Sequence, residues 1–124
     1  MIKLSQNKVK ELHNLVAEKT GGDANVRDEA LLNSAISSAY QTFAGVELYK
    51  TIEEKGANLG YLLISNHAFV DGNKRIGMLV MLVFLEINGV KLRLKQGEVA
   101  RVGLAIASGS MSQSELLSWI LENK

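Results

Sequence analysis

The sequence predicts an all-α fold, a single domain of about six helices around one buried central helix. Three observations support this prediction. The chain has no proline, which permits long uninterrupted helices. Apolar side chains recur at helical spacing in most segments. Residues 76–87 are almost all apolar, and this run is too short to span a bilayer, so it fits a helix buried on all sides.

The first two helices are predicted from their cap residues. Ser5 is a suitable N-cap for a first helix, and the glycine pair that begins at Gly21 ends it. Asp28 is a suitable N-cap for a second helix, whose inward side chains run from Leu31 to Ala39. Residues 42–50 have no clear period and predict a loop. The inward face of the first helix is predicted to carry Val9, Leu12, Leu15 and Val16.

A third helix is predicted to begin at a capping box, the pattern formed by Thr51 and Glu54, and to run to about Asn66. Two glycines lie inside it, and each weakens a helix by about 1 kcal/mol relative to alanine. Gly56 and Gly60 are four residues apart and therefore share one face. This flat face would allow another helix to approach closely.

The second half of the chain continues with a fourth helix from about Asn73 to Asn88, the central one. The alternation of apolar and charged residues over Val90–Lys95 predicts a short edge strand. A fifth helix is predicted over Glu98–Ser108. The last helix follows a second capping box, formed by Ser112 and Glu115.

Composition limits the possible functions. At 47% hydrophobic and 22% charged residues, the chain is typical of a soluble globular protein, with residues 1–124 forming one domain. A net charge of +1 argues against direct nucleic-acid binding, which usually needs a basic excess. The absence of cysteine excludes disulfides and thiolate metal sites. Because no apolar signal segment opens the chain, we expect a cytoplasmic protein without a membrane segment.

One segment, His67–Arg75, carries most of the chemistry and lies directly before the central helix. A helix N-terminus aims backbone N–H groups at an anion, and Lys74 and Arg75 add positive charge there. His67 can accept a proton near neutral pH, and Asp71 suits a Mg²⁺ that bridges phosphates. These groups are suited to moving a phosphate-containing group onto a hydroxyl. The plainer interpretations are a structural histidine and an aspartate that caps the helix.

The other residues of this segment have predicted roles of their own. Gly72 supplies a positive φ or room for a phosphate. Asn73 caps the helix and hydrogen-bonds a phosphate oxygen. Lys74 and Arg75 contact phosphate, because cations at a helix N-terminus are unfavourable unless an anion offsets them. Phe69 is predicted to anchor the segment in the core, so that the polar groups around it are held in place.

The segment resembles the signature loop of the Fic/Doc family, His-x-Phe-x-[Asp/Glu/Asn]-Gly-x-x-Arg. AMP-transferring members have glycine at the position of Lys74 and a second arginine at the position of Met78. These two departures are similar to the Doc branch, the death-on-curing toxins of toxin–antitoxin pairs. The resemblance covers roughly residues 9–90. It also includes Gly21-Gly22, Arg27-Asp28, Leu31-Leu32, Ser34-Ala35 and Asn88-Gly89.

The resemblance implies a Doc-like toxin that acts as a protein kinase and inhibits translation. Such a toxin uses ATP and Mg²⁺ to phosphorylate a Ser or Thr hydroxyl of a target protein, by resemblance translation elongation factor Tu. His67 would be the catalytic base and Asp71 the metal ligand. The implied partner is a small antitoxin whose C-terminal segment folds as a helix into a groove. The segment from Phe43 to Lys50 corresponds to the flap on which Fic relatives dock their targets.

Two alternatives remain open at this point. One is a Fic-type transferase that moves AMP or another nucleotide onto a protein hydroxyl. The other is a catalytically silent nucleotide-binding interaction module.

Two weaker signals are interpreted as structural. The residues Ser118, Glu122 and Asn123 match [Ser/Thr]-x-x-x-Glu-[Gly/Asn], an autoinhibitory motif of many Fic enzymes. Its glutamate pairs there with the second arginine, which is Met78 in this chain, so we expect a plain amphipathic last turn. His13 is expected at the surface of the first helix or half-buried in it.

Overall fold

The computed structural model describes residues 1–124 and confirms the all-α prediction, with six helices and one short hairpin. No helix is both long enough and apolar enough to cross a membrane. In chain order the elements are α1 Gln6–Thr20, α2 Glu29–Ser38, β1 Thr42–Phe43, β2 Val46–Glu47, α3 Ile52–Ser65, α4 Asn73–Ile87, α5 Glu98–Ala107 and α6 Gln113–Asn123.

The predicted N-termini of four helices, α1, α2, α3 and α6, are confirmed by their caps. The side chains of Ser5, Asp28, Thr51 and Ser112 each accept a hydrogen bond from the backbone N–H three residues on. The boxes at Thr51 and Ser112 are complete, because the glutamate at the third position also bonds back to the cap. Gly21 ends α1 in the left-handed conformation, at φ 75°.

The glycines of α3 form the predicted flat face, and α4 lies against it. A Cβ atom on Gly56 would be 2.7 Å from the Leu85 side chain, and one on Gly60 would be 2.9 Å from the sulfur of Met81. Side chains at either glycine would therefore push the two helices apart. This close contact fixes α4 against α3 and so fixes the loop that joins them.

Helix α4 lies at the centre of the fold together with α3, because both helices contribute to both hydrophobic clusters of the core. Ile76, Val80 and Phe84 belong to the cluster that includes α1 and α2. Met81 and Leu85 belong to the cluster shared with α5 and α6. Helices α3 and α4 therefore lie between the two halves of the core. The prediction of a fourth helix buried on all sides is partly wrong, because one face of α4 is only partly buried and its N-terminus lies at the surface.

The predicted edge strand at residues 90–95 is wrong, because these residues form no strand. The alternation instead reflects one-sided burial of an extended segment. Its backbone has no neighbouring strand and makes one hydrogen bond to α6, in which the Arg93 N–H donates to the Asn123 carbonyl at 2.7 Å. The side chains packed against the core are Val90, Leu92 and Leu94.

The predicted inward face of α1 needs one correction. Leu15 is 55% exposed, whereas His13, expected nearer the surface, is 1% exposed. Val9 and His13 are four residues apart and form the buried stripe of α1. Leu12 and Val16 are only partly buried beside it. The buried stripe is therefore rotated from the predicted face, away from Leu15 and toward His13.

The predicted loop at residues 42–50 contains a small hairpin. Thr42 pairs with Glu47 and Phe43 with Val46, across a turn in which Ala44 and Gly45 both have positive φ. The hairpin is attached to α3 by Lys55, a buried lysine. Its ammonium group donates to the Tyr49 carbonyl and lies 3.2 Å from the Glu47 carboxylate.

Candidate active site

The loop between α3 and α4 forms one wall of an open cleft of about 1260 Å³. The opposite wall comes from α5 and the segment before it. The apolar end of the cleft is lined by Leu79, Leu82, Leu94, Val99 and Leu104. The structure brings together all the polar residues predicted for the site: His67, Asp71, Gly72, Asn73, Lys74 and Arg75.

His67 occupies an unusual backbone conformation. Its φ is 50°, in the left-handed region that residues other than glycine seldom adopt, although histidine does so more often than most. The side chain is exposed, lines the cleft and forms no hydrogen bond with another protein group. The imidazole is therefore free to accept a proton from a bound hydroxyl.

Phe69 lies behind the loop. It is 1% exposed and belongs to the core cluster around α1 and α2, which is the position expected of an anchor. The Asn73 amide holds the backbone of Phe69 on both sides, accepting from its N–H at 3.1 Å and donating to its carbonyl at 3.0 Å. The prediction that Asn73 caps the helix is therefore wrong, because Gly72 is the cap and the Asn73 side chain closes the loop instead. This leaves the backbone N–H of Asn73 as its group that can contact a phosphate.

The N-terminus of α4 is open toward the cleft. Gly72 is its cap, at φ 75°, and provides no side-chain bond. The N–H groups of Asn73, Lys74 and Arg75 donate to no protein acceptor, so three donors are unpaired at the helix end, and two of these residues are cations that line the cleft. A Cβ atom on Gly72 would be 2.9 Å from the His13 ring. Glycine is therefore required here both for its φ and for the space.

Asp71 is exposed beside this helix end. One carboxylate oxygen accepts from the N–H of the adjacent Gly72 at 2.8 Å, but Asp71 accepts from no N–H of α4 itself, so it does not cap the helix. The other oxygen has no hydrogen-bond partner. No cluster of three acidic or histidine side chains could hold a metal unaided. A single carboxylate nevertheless fits Mg²⁺, which keeps several waters and takes other ligands from phosphates.

Comparison with known proteins identifies the family of this chain. Residues 3–85 match the model of the Fic/DOC family. The chain belongs to this family. It is also similar to a protein named Toxin Doc from Mycolicibacterium smegmatis, with 44% identity over 72 residues. That alignment covers 58% of this chain and 55% of the relative, so the chain spans about half the length of the curated relative it matches.

His13 is a residue of this Fic/DOC site that sequence reasoning missed. Its Nε2 lies 2.9 Å from the Asp71 carbonyl, and its ring centre is 4.2 Å from that of Phe69. Because a carbonyl only accepts, Nε2 carries the hydrogen, and Nδ1 is buried without a partner. The spacing of four residues from Val9 was the available signal. His13 therefore holds the signature loop from its buried side, through the Asp71 carbonyl and the Phe69 ring.

Burial lowers the pKa of His13 from its ordinary value of 6.5, and the nearby Asp71 raises it by a smaller amount. The folded protein therefore resists protonation of this ring more than the unfolded chain does. We expect this contribution to the free energy of unfolding to be complete above pH 6.5 and to be lost as the pH falls below 6.5 toward the lower folded-state pKa.

Urea unfolding at a series of pH values measures this effect. The loss of stability at acid pH should be smaller in the His13→Phe protein. An equal loss in the His13→Phe protein would show that another group causes it.

The segment between α1 and α2, residues 25–28, covers the outer side of the signature loop. The Val70 N–H donates to the Asn25 carbonyl at 3.0 Å, and Val26 forms a β-bridge with Phe69. The N–H groups of Arg27 and Asp28 both donate to the Ala68 carbonyl, at 2.8 and 3.1 Å. We call this segment the strap. Its backbone holds the middle of the loop.

The autoinhibitory pattern at the end of α6 lies far from this site. Glu122 is exposed, and nearby Lys124 pairs with Glu53 on the first turn of α3 at 2.8 Å. The signature loop follows the other end of α3, after Ser65. Met78 is only 2% exposed and packs against Gly103, so no cation faces the cleft there. This placement agrees with a plain amphipathic last turn.

Proposed function

We propose that this Fic/DOC protein is a toxin that acts as a protein kinase, transferring the γ-phosphate of ATP to a Ser or Thr hydroxyl of translation elongation factor Tu. One observation carries the proposal. The unbonded imidazole of His67 lies in the same cleft as the open N-terminus of α4 and its two cations. The similarity to a protein named Toxin Doc supports the toxin assignment.

The proposed reaction follows from these positions. His67 takes the proton of the target hydroxyl while the hydroxyl oxygen forms a bond to the γ-phosphorus. The bond between the γ-phosphorus and the oxygen that bridges it to the β-phosphorus breaks, and ADP is released. The free N–H groups of α4, with Lys74 and Arg75, hold the phosphates and stabilise the charge that develops on them. Asp71 is the residue that would hold Mg²⁺, which neutralises phosphate charge when bound.

Kinase activity is favoured over nucleotide transfer by Lys74. It adds bulk and charge where AMP-transferring relatives have glycine, and the second arginine of those relatives is replaced by the buried Met78. ATP would therefore bind in the reverse direction, with its γ-phosphate toward His67. AMP transfer is the alternative outcome of the tests below. A silent binding module would have no need of the exposed imidazole.

The target is proposed to dock on the hairpin of β1 and β2. The hairpin is attached to the domain through the buried Lys55. Three apolar side chains of the hairpin and the residue after it are nevertheless exposed: Phe43 at 76%, Val46 at 54% and Leu48 at 50%. Apolar groups presented on a fixed hairpin are suited to binding a protein partner. We further propose that a small antitoxin neutralises the protein by binding as a helix in a groove on its surface.

Replacing Lys74 with glycine should abolish transfer of label from γ-labelled ATP, with at most weak transfer from α-labelled ATP, because Met78 lacks the guanidinium of the second arginine. Lys74→Met is the matched control, since it keeps bulk and removes charge and so separates the two contributions. Unchanged γ-label transfer in the Lys74→Gly protein would show that other residues set the orientation of ATP.

Replacing Asp71 with asparagine should raise the Mg²⁺ concentration required for half-maximal transfer by about 10- to 100-fold or more, since even loss of an outer-shell partner costs that much. The unfolding midpoint should hardly move, because Asp71 is exposed and asparagine keeps the acceptor for the Gly72 N–H. Titration of Mg²⁺ against the transfer rate measures this. Transfer that is insensitive to EDTA would contradict the metal assignment.

The proposed function as a whole can be tested in growing bacteria. Induced expression should stop incorporation of labelled methionine within minutes, and His67→Ala expressed to the same level should not. Co-expression of an adjacent short open reading frame should restore incorporation if it encodes the antitoxin. Normal protein synthesis after induction of the unmodified chain would contradict the toxin proposal.

A further inference from the structure

The side chain of Arg27 makes two hydrogen bonds to the signature loop region in addition to the backbone bonds of the strap. Its Nε donates to the His67 carbonyl at 2.6 Å, and its Nη2 donates to the Asn66 carbonyl at 3.1 Å. Asn66 is the C-cap of α3, where carbonyl groups lack helical partners. A cation at this end of a helix is also electrostatically favourable. Arg27 thus joins the strap to the residue pair that contains the proposed base.

One of these two hydrogen bonds acts at a residue with an unfavourable backbone conformation. His67 has φ 50°, and a residue in this region keeps its conformation only when its surroundings hold it there. The backbone bonds of the strap begin one residue later, at the Ala68 carbonyl. Arg27 is the one side chain that bonds the backbone of His67 itself.

Arg27 does not contact the proposed substrate region. It is absent from the lining of the cleft, which Lys74 and Arg75 reach from α4. Its guanidinium is instead committed to two backbone carbonyls. A direct role in phosphate binding therefore has no support from its position, whereas an action through His67 does.

We propose that Arg27 is a positioning residue, which holds the backbone of His67 in its left-handed conformation and so directs the imidazole into the cleft. This inference rests on the proposed function, in which His67 is the base. Misplacement of a reacting group by about 1 Å can lower a rate on the order of 10²-fold. The expected consequence is a loss in kcat with little change in KM for ATP, because the phosphate-binding groups of α4 stay in place.

The kinetic test uses purified elongation factor Tu, γ-labelled ATP and three variants. Arg27→Met keeps the aliphatic stem and removes every donor, and kcat should fall by about 10- to 100-fold with KM for ATP within about twofold. Arg27→Lys restores one donor group and should recover part of kcat. Arg101→Met is the control, because it removes another exposed arginine that makes two hydrogen bonds, to Glu98, outside the cleft. A rise in KM with unchanged kcat would overturn the inference.

A second measurement does not depend on activity. The ¹³Cα chemical shift and the three-bond amide coupling of His67 both depend on φ, and both should change in Arg27→Met while the remaining backbone signals stay close to those of the unmodified protein. Unchanged values for His67 would overturn the inference, whether or not elongation factor Tu proves to be the target.

The two proposals fail in different ways. Full activity of the His67→Ala protein would contradict the proposed function. An inactive His67→Ala protein together with an Arg27→Met protein of normal kcat would contradict only the role of Arg27.

Discussion

Replacing His67 with alanine is expected to lower the rate of phosphate transfer by about 10² to 10⁴-fold, the range typical for loss of a general base. The free energy of unfolding should hardly change, because the imidazole is exposed and bonds to no protein group. Single-turnover kinetics with γ-labelled ATP and circular dichroism melting measure the two quantities.

His67→Asn is the matched control for the backbone. Asparagine tolerates the left-handed conformation better than alanine does and cannot serve as a base at neutral pH. It should be as inactive as the alanine variant. A His67→Ala protein that still arrests growth at equal expression would contradict the catalytic assignment.

Replacing Phe69 with alanine is expected to destabilise the domain by about 3 to 5 kcal/mol, the usual cost of removing a fully buried phenylalanine. The ring is 1% exposed and contacts His13, so its loss leaves a cavity below the signature loop. Activity should fall indirectly, because the loop loses its attachment to the core. Urea unfolding measures the change in free energy.

Phe43→Ala provides the control for this second prediction. The Phe43 ring is 76% exposed on the hairpin, and its removal should change the free energy of unfolding by no more than about 0.5 kcal/mol. Full stability of the Phe69→Ala protein together with lost activity would point instead to direct contact between this ring and the substrate.

The features that were predictable from sequence are local ones. Caps at Ser5, Asp28 and Thr51 act within one turn, so a few neighbouring residues determine them. The glycines of α3 give a flat face that depends only on helical geometry. The polar wall of the cleft was predictable for the same reason, because it is formed by one continuous segment, His67–Arg75, whose residues must lie close together.

The features that were missed depend on contacts between distant parts of the chain. His13 meets the Asp71 carbonyl across 58 residues, and Arg27 meets that of His67 across 40. The helical spacing of Val9 and His13 indicates that the ring is buried but not what it contacts, and nothing in the sequence indicates the partner of Arg27. The incorrect prediction of a strand at residues 90–95 has a related cause. Alternation of apolar and charged residues shows which side chains are buried, but it does not show whether a second strand lies alongside.

The measurement that tests the central claim most directly is which phosphate of ATP reaches the target protein. Purified elongation factor Tu would be incubated with this chain, Mg²⁺ and either γ-labelled or α-labelled ATP, with the His67→Ala protein as the blank. We expect label on a Ser or Thr residue from γ-labelled ATP alone. Strong labelling from α-labelled ATP by the unmodified protein would contradict the kinase proposal and establish nucleotide transfer instead.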